Sequence, residues 1–148
     1  MDFDGLSSAA VAQRWIERAL VSCPAFAFAS PLGEDDPFRN PAVHTLRQSL
    51  NALAHELLGA MDEAAVVAAL DALVRLRAVQ DCSPAEAVGF VFELRAAVRD
   101  LSGTIPEPLQ VRIDRLARLS FNQYMACREH VFALRVRELR LRAQCAVE

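Results

Sequence analysis

RAVQDCSPAEAVGFVFELR, residues 77 to 95, is the stretch on which the fold turns. Ser83 stands where a helix N-cap belongs, Pro84 fits the first helical position, and Glu86 is the third. A serine whose hydroxyl accepts the third residue's N–H, and a glutamate that reaches back to the serine N–H, form a capping box. Cys82 and Ala87 bracket the cap at the spacing of a hydrophobic staple. Upstream, an apolar helical pattern runs to about Val79. Downstream, Val88, Phe90, Val91, Phe92 and Leu94 place apolar groups all round the new helix, which predicts that it is central and buried. Gly89 would let a neighbouring helix come close. Gly103 and the turn GTIPEP end it. A helix stop, a complete helix start and an apolar helix in nineteen residues predict an all-α chain.

The same punctuation extends in both directions. A first helix starts after Ser7 or Ser8 and carries one stripe of Val11, Trp15, Ala19 and Cys23, with Ile16 and Leu20 beside it. PAFAFASPLGEDDPFRNP (24–41) then reads as a long ordered loop whose three phenylalanines cover part of the core. Asn40-Pro41 is a helix start. Behind it Val43, Leu46, Leu50, Leu53 and Leu57 recur every three or four residues, and Gly59 stops the run. Asp62 can cap a third helix bearing Val66, Leu70, Leu73 and Val74. From about Pro108 to Cys145 nothing interrupts a last helix, which at 1.5 Å per residue reaches ~55 Å. It must bend or project, because a domain of this size has a radius of gyration of roughly 15 Å. Up to Phe132 two apolar stripes predict burial: Ile113, Leu116, Cys127 and Val131, and Phe121, Met125 and Phe132. Beyond it a single seam remains, Phe132, Val136, Leu139 and Ala143, flanked by Arg135, Arg137, Arg140 and Arg142 in a coiled-coil-like pattern.

Composition narrows the function. The 148 residues suit one domain spanning 1–148, with about five helices in a globin-like or bundle-like body and a long C-terminal helix over about 108–145. All 16 basic residues are arginine, a feature consistent with coding bias. A net charge of −3 argues against nucleic acid as partner. The charge is uneven: residues 107–148 hold eight arginines and five acids, residues 1–106 eight and fourteen. A basic helix against an acidic body suggests docking within or between chains. The N-terminus lacks a signal-peptide pattern and no apolar run approaches the ~20 residues of a membrane span, so a cytoplasmic protein is expected, with no membrane partner. The four cysteines, Cys23, Cys82, Cys127 and Cys145, are too scattered for a zinc site or disulfide frame.

Candidate chemistry is sparse. His44 and His55 share a face of the second helix but stand ~16 Å apart, too far for one metal ion. His130 could in principle ligate haem in a helical body. Glu34, Asp35 and Asp36 read as solvated turn residues. Cys82, just ahead of a helix start, is either a low-pKa thiol or part of the staple, and the staple is the simpler reading. No phosphate loop, dinucleotide-binding, nucleophile-elbow or zinc-protease motif occurs. No enzyme activity, no metal site and no cofactor are expected.

Three segments, DPFRNPAVHTLRQSL (36–50), LVRLRAVQDCSPAEAVGFVFELRAAVR (73–99) and RIDRLARLSFNQYMACREHVFALRVREL (112–139), resemble the N-terminal domain of RsbRD-type RsbT co-antagonist proteins. The resemblance covers nearly the whole chain through D-P-F-x-N-P, R-x-V-Q-D-x-[ST]-P and Y-M-x-C-R-E. It implies a helical sensory or regulatory module, in that family typically followed by a STAS domain engaged in stressosome-like signalling. Here the sequence stops where the linker helix would enter that domain, so kinase antagonism is not carried over. Cys82 also replaces a bulkier, often aromatic residue. The expectation is a bacterial, non-enzymatic module that forms a homodimer through Phe132, Val136, Leu139 and Ala143, with the Trp15 face contributing, and that meets another, unspecified regulatory protein. The alternatives are a small-ligand sensor, with haem as one ligand, and an accessory protein of a redox enzyme complex. For Ser83 and Glu86 the favoured role is capping.

Overall fold

The computed structural model describes residues 3, 5–22, 40–80 and 82–147. Six helices and no strand occur among the described residues: α1 (Ser8–Ser22), α2 (Pro41–Leu58), α3 (Glu63–Val79), α4 (Pro84–Val88), α5 (Phe90–Ser102) and α6 (Glu107–Cys145). The expected all-α class with a long last helix is what the chain adopts. Cys23, the loop phenylalanines Phe26, Phe28 and Phe38, and the acids Glu34, Asp35 and Asp36 lie outside the described residues.

Helix starts follow local chemistry. Ser7 Oγ accepts the Ala10 N–H at 3.1 Å, and Asn40 Oδ1 accepts the Val43 N–H at 3.3 Å. The Ser83–Glu86 capping box is complete, with Glu86 N–H to Ser83 Oγ at 3.2 Å and Ser83 N–H to Glu86 Oε2 at 2.8 Å. Asp62 departs from expectation. It sits at the N-cap of α3, yet its side chain accepts no capping bond, and its own N–H donates to Glu56 Oε2 at 3.0 Å. Gly59 stands at the C-cap of α2, where a Cβ would lie 2.8 Å from the His55 carbonyl oxygen, so the turn there requires glycine.

Leu50, Leu53 and Ala54 of α2 and Val66, Leu70 and Leu73 of α3 have no accessible surface. α1 packs across α2 and α5, while α3 lies between α2 and α6. Trp15 is fully buried, stacked on Phe90 with ring centroids 6.2 Å apart. An ion-pair cluster joins α1 to α5: Arg14 and Arg18 reach Asp100 at 2.7 and 3.0 Å, and Arg18 reaches Glu93 at 2.9 Å.

Two expectations about the fourth helix are corrected. It is not one element but two, divided at Gly89, which raises the helix count from five to six. Nor is it buried all round: Phe90, Val91, Leu94, Ala97 and Val98 face inward, while Phe92 is 65% exposed. Gly89 keeps the αR conformation, and a Cβ there would meet the carbonyl oxygens of Ala85 and Glu86 at 3.2 and 3.3 Å. Its small size therefore serves the chain's own tightened turn instead of a neighbouring helix.

Candidate functional site

The break between α4 and α5 is built by a side chain from the preceding helix. Arg77 continues the apolar stripe Leu70, Leu73, Val74 of α3 and is 4% exposed. Its Nη2 donates to the Glu86 carbonyl at 2.7 Å, its Nε to the Ala87 carbonyl at 3.4 Å, and its Nη1 to Gln80 Oε1 at 2.9 Å. In an uninterrupted helix those two carbonyls would accept the N–H groups of Phe90 and Val91. The guanidinium reaches them instead, the Gly89 N–H also donates to the Glu86 carbonyl at 3.3 Å, and Trp15 Nε1 takes the Phe90 carbonyl at 2.6 Å. Within RAVQDCSPAEAVGFVF, then, the first residue caps the helix that the serine begins. Cys82 is half-buried against the core and Ala87 is buried, with the Cys82 Sγ 3.6 Å from the Arg77 carbonyl.

Beside this break lies a half-open cavity of about 300 Å³, bounded by Ala19, Leu46, Leu73, Gly89, Phe90 and Phe92. Its polar lining is already engaged: Arg77 with backbone carbonyls, Glu86 in the capping box, Glu93 with Arg18. No histidine stands among these lining residues. His44 is half-buried on α2, and His55 and His130 are exposed. His130 lies on α6 just before Val131. Among the described residues no His, Cys, Asp and Glu group could hold a metal ion, and no helix is long and apolar enough to cross a membrane.

The other distinctive surface is α6. Its inner stripe, Leu109, Ile113, Leu116, Ser120 and Tyr124, is buried against the body, and Cys127 and Val131 are half-buried. Arginines and a glutamine fasten this half. Arg112 Nη1 donates to the carbonyls of Leu57 and Gly59 at 2.8 and 2.7 Å. Gln123 reaches Val67 O at 3.3 Å and Arg128 reaches Ala78 O at 3.1 Å. Arg115 pairs with Glu63, and Arg95 with Asp114. Arg112, Arg128 and Arg77 thus each satisfy carbonyls at or just past the end of a helix, namely α2, α3 and α4. The planar fork suits arginine to this task better than lysine, so at these three positions arginine has a structural use.

Past Val131 the helix leaves the body. Phe132 is 69% exposed, Leu139 64%, Ala143 exposed and Val136 half-buried. The second stripe expected to be buried is not: Phe121 and Met125 are 47% and 37% exposed. At 100° per residue Phe121, Met125, Phe132, Val136, Leu139 and Ala143 fall within an arc of about 60°. The seam is therefore one continuous line that begins alongside the body. Leu134 and Leu141, 52% and 53% exposed, prolong the inner stripe beyond the body's edge. Trp15 contributes to neither, because it is enclosed in the core.

Comparison with known proteins adds one finding: residues 9–139 match the family model described as the RsbT co-antagonist protein rsbRD N-terminal domain. No curated protein and no solved structure matches the chain.

Proposed function

Because the chain belongs to the RsbRD N-terminal domain family, whose members are stressosome-related regulatory domains, we propose that it is a bacterial, cytoplasmic, non-catalytic sensory module that works by protein–protein contact and self-associates through the exposed seam of α6. The observation that carries this reading is the seam itself. Phe132 and Leu139 are more than half exposed on a helix that has left its own body. Burying a Val, Leu or Phe side chain is worth about 1.5–3 kcal/mol, so an unpaired seam forgoes several such contributions. A second copy satisfies the same patch on both chains at once.

Sedimentation equilibrium at micromolar concentration tests it. The wild-type chain should sediment at twice its 16.3 kDa mass, and Val136→Asp with Leu139→Asp should return it to one. A monomeric wild type sinks the self-association.

A second reading, a sensor of a small, mostly apolar molecule, is favoured by the cavity of about 300 Å³ at the α4–α5 break, near the lower end of ligand-pocket sizes. It ranks second because the polar groups there are already engaged by the protein.

A further inference from the structure

We infer that the cavity at the α4–α5 break and the anchorage of α6 are coupled through the C-terminal end of α3, so that an uncharged, mostly hydrocarbon molecule in the cavity tightens the hold on Arg128. The inference rests on the small-ligand reading ranked second above.

The break is an element with two arrangements. In the one observed, Arg77 donates to the carbonyls of Glu86 and Ala87 at 2.7 and 3.4 Å, and the Gly89 N–H shares the first of them at 3.3 Å. In the other, α4 runs on into α5 and the same carbonyls accept the N–H groups of Phe90 and Val91. The cavity takes its walls from both sides of this choice. Gly89, Phe90 and Phe92 belong to the break, whereas Leu46 and Leu73 belong to α2 and α3. Closing the break would turn the first set of walls relative to the second. A molecule that fits the cavity as it stands therefore favours the arrangement in which Arg77 holds the carbonyls.

Arg77 is also the link outward. The next residue, Ala78, is fully buried, and its carbonyl accepts from Arg128 of α6 at 3.1 Å. Fixing Arg77 fixes the end of α3, and with it the acceptor that Arg128 uses. Arg128 does not line the cavity, so any effect of one on the other passes through the protein.

The lining sets the chemistry of the guest. Arg77, Glu86 and Glu93 each already hold a protein partner, so a charged guest would lose water with no group reserved to replace it. The apolar space of about 300 Å³ suits a compact ring or cage.

The single tryptophan of the chain reports on this site, because Trp15 is stacked on Phe90 and donates to its carbonyl. Titration of the full chain with 1-adamantanol should give a saturable change in Trp15 emission. Adamantane-1-carboxylate and 1-adamantylamine, the same cage with opposite charges, should bind roughly tenfold more weakly. Phe92→Ser, at an exposed position of the lining, should weaken binding of the alcohol without unfolding the chain, and an unchanged affinity there overturns the assigned site. Coupling between two sites is reciprocal, so Arg128→Gln should weaken the alcohol about fivefold although it touches no part of the cavity. Arg112→Gln, which frees α6 from the end of α2 instead, should leave the affinity as it is, separating coupling from general destabilisation. Equal affinities in wild type and Arg128→Gln, or equal losses in the two arginine variants, overturn the coupling and leave the ligand reading standing. Charged cages that bind as tightly as the alcohol overturn the assigned chemistry. No saturable response to 1-adamantanol or to the smaller cyclohexanol overturns the ligand reading, and the coupling with it.

Discussion

At the scale of single residues, Arg77 matters more than any group with catalytic potential. It is buried, and it donates to two backbone carbonyls at the α4–α5 break, that of Ala87 and that of Glu86, which also accepts the Gly89 N–H. Leaving buried acceptors unsatisfied costs about 1–3 kcal/mol per group. Arg77→Met, which keeps much of the side-chain volume and leaves the Ala87 carbonyl without its donor, should therefore lower stability by about 1–3 kcal/mol, read as a shift in the urea midpoint. Arg77→Lys should recover only part of it, since one ammonium cannot reproduce the fork. Equal midpoints for wild type and Arg77→Met would mean the carbonyls find other donors. The Ser83–Glu86 box was legible in the sequence because its two bonds join residues three apart. Arg77's role was not, because its carbonyl partners lie nine and ten residues away across a helix end. The available hint was a charged residue on the stripe Leu70, Leu73, Val74.

Among the elements, the α1–α5 contact carries the clearest pH dependence. Hydrogen bonding from Arg14, reinforced by the charges of Arg14 and Arg18, holds Asp100 below its ordinary value of 3.8. A carboxyl with a depressed folded-state pKa adds stability that is fully present above its unfolded value and is lost as pH falls through the folded one. Asp100→Asn should therefore be less stable than wild type at neutral pH, and the gap should close as the pH falls below about 3.8. Urea melts at neutral and acidic pH check this, and a gap that persists in acid would point to a cause other than the ion pairs. The pair is solvent-exposed, so added salt should shrink the difference. At this scale the helices were largely legible, because caps and periodicity are local signals. The side on which α6 is covered was not. Phe121 and Met125 share the helical spacing of a buried stripe, and only the placement of the other helices shows that it leaves them largely exposed.

Across the whole molecule, the lengths of two helices set the shape. α3 has 17 residues and α6 has 39, so at 1.5 Å per residue one spans about 25 Å and the other about 58 Å. The body can cover little more than the first half of α6. A chain ending after Val131 should sediment as a monomer and keep nearly the urea midpoint of the monomeric Val136→Asp, Leu139→Asp variant, because the residues removed are mostly exposed. A midpoint well below that variant's would show that the outer half folds back on the body in solution. The globular part was foreseeable from composition and patterning. The partner of the outer half was not, since a single sequence records an apolar seam without recording what lies on it.

The arginines of the outer half, Arg135, Arg137, Arg140 and Arg142, are all exposed, and the chain has no lysine to share their work. A guanidinium stays charged at any physiological pH, and there is no ε-amine here for acetylation to neutralise. The positive field of this rod is therefore permanent with respect to protons and acyl donors. Ions in solution or an opposing acidic surface can mask it by screening, without any change to the rod itself.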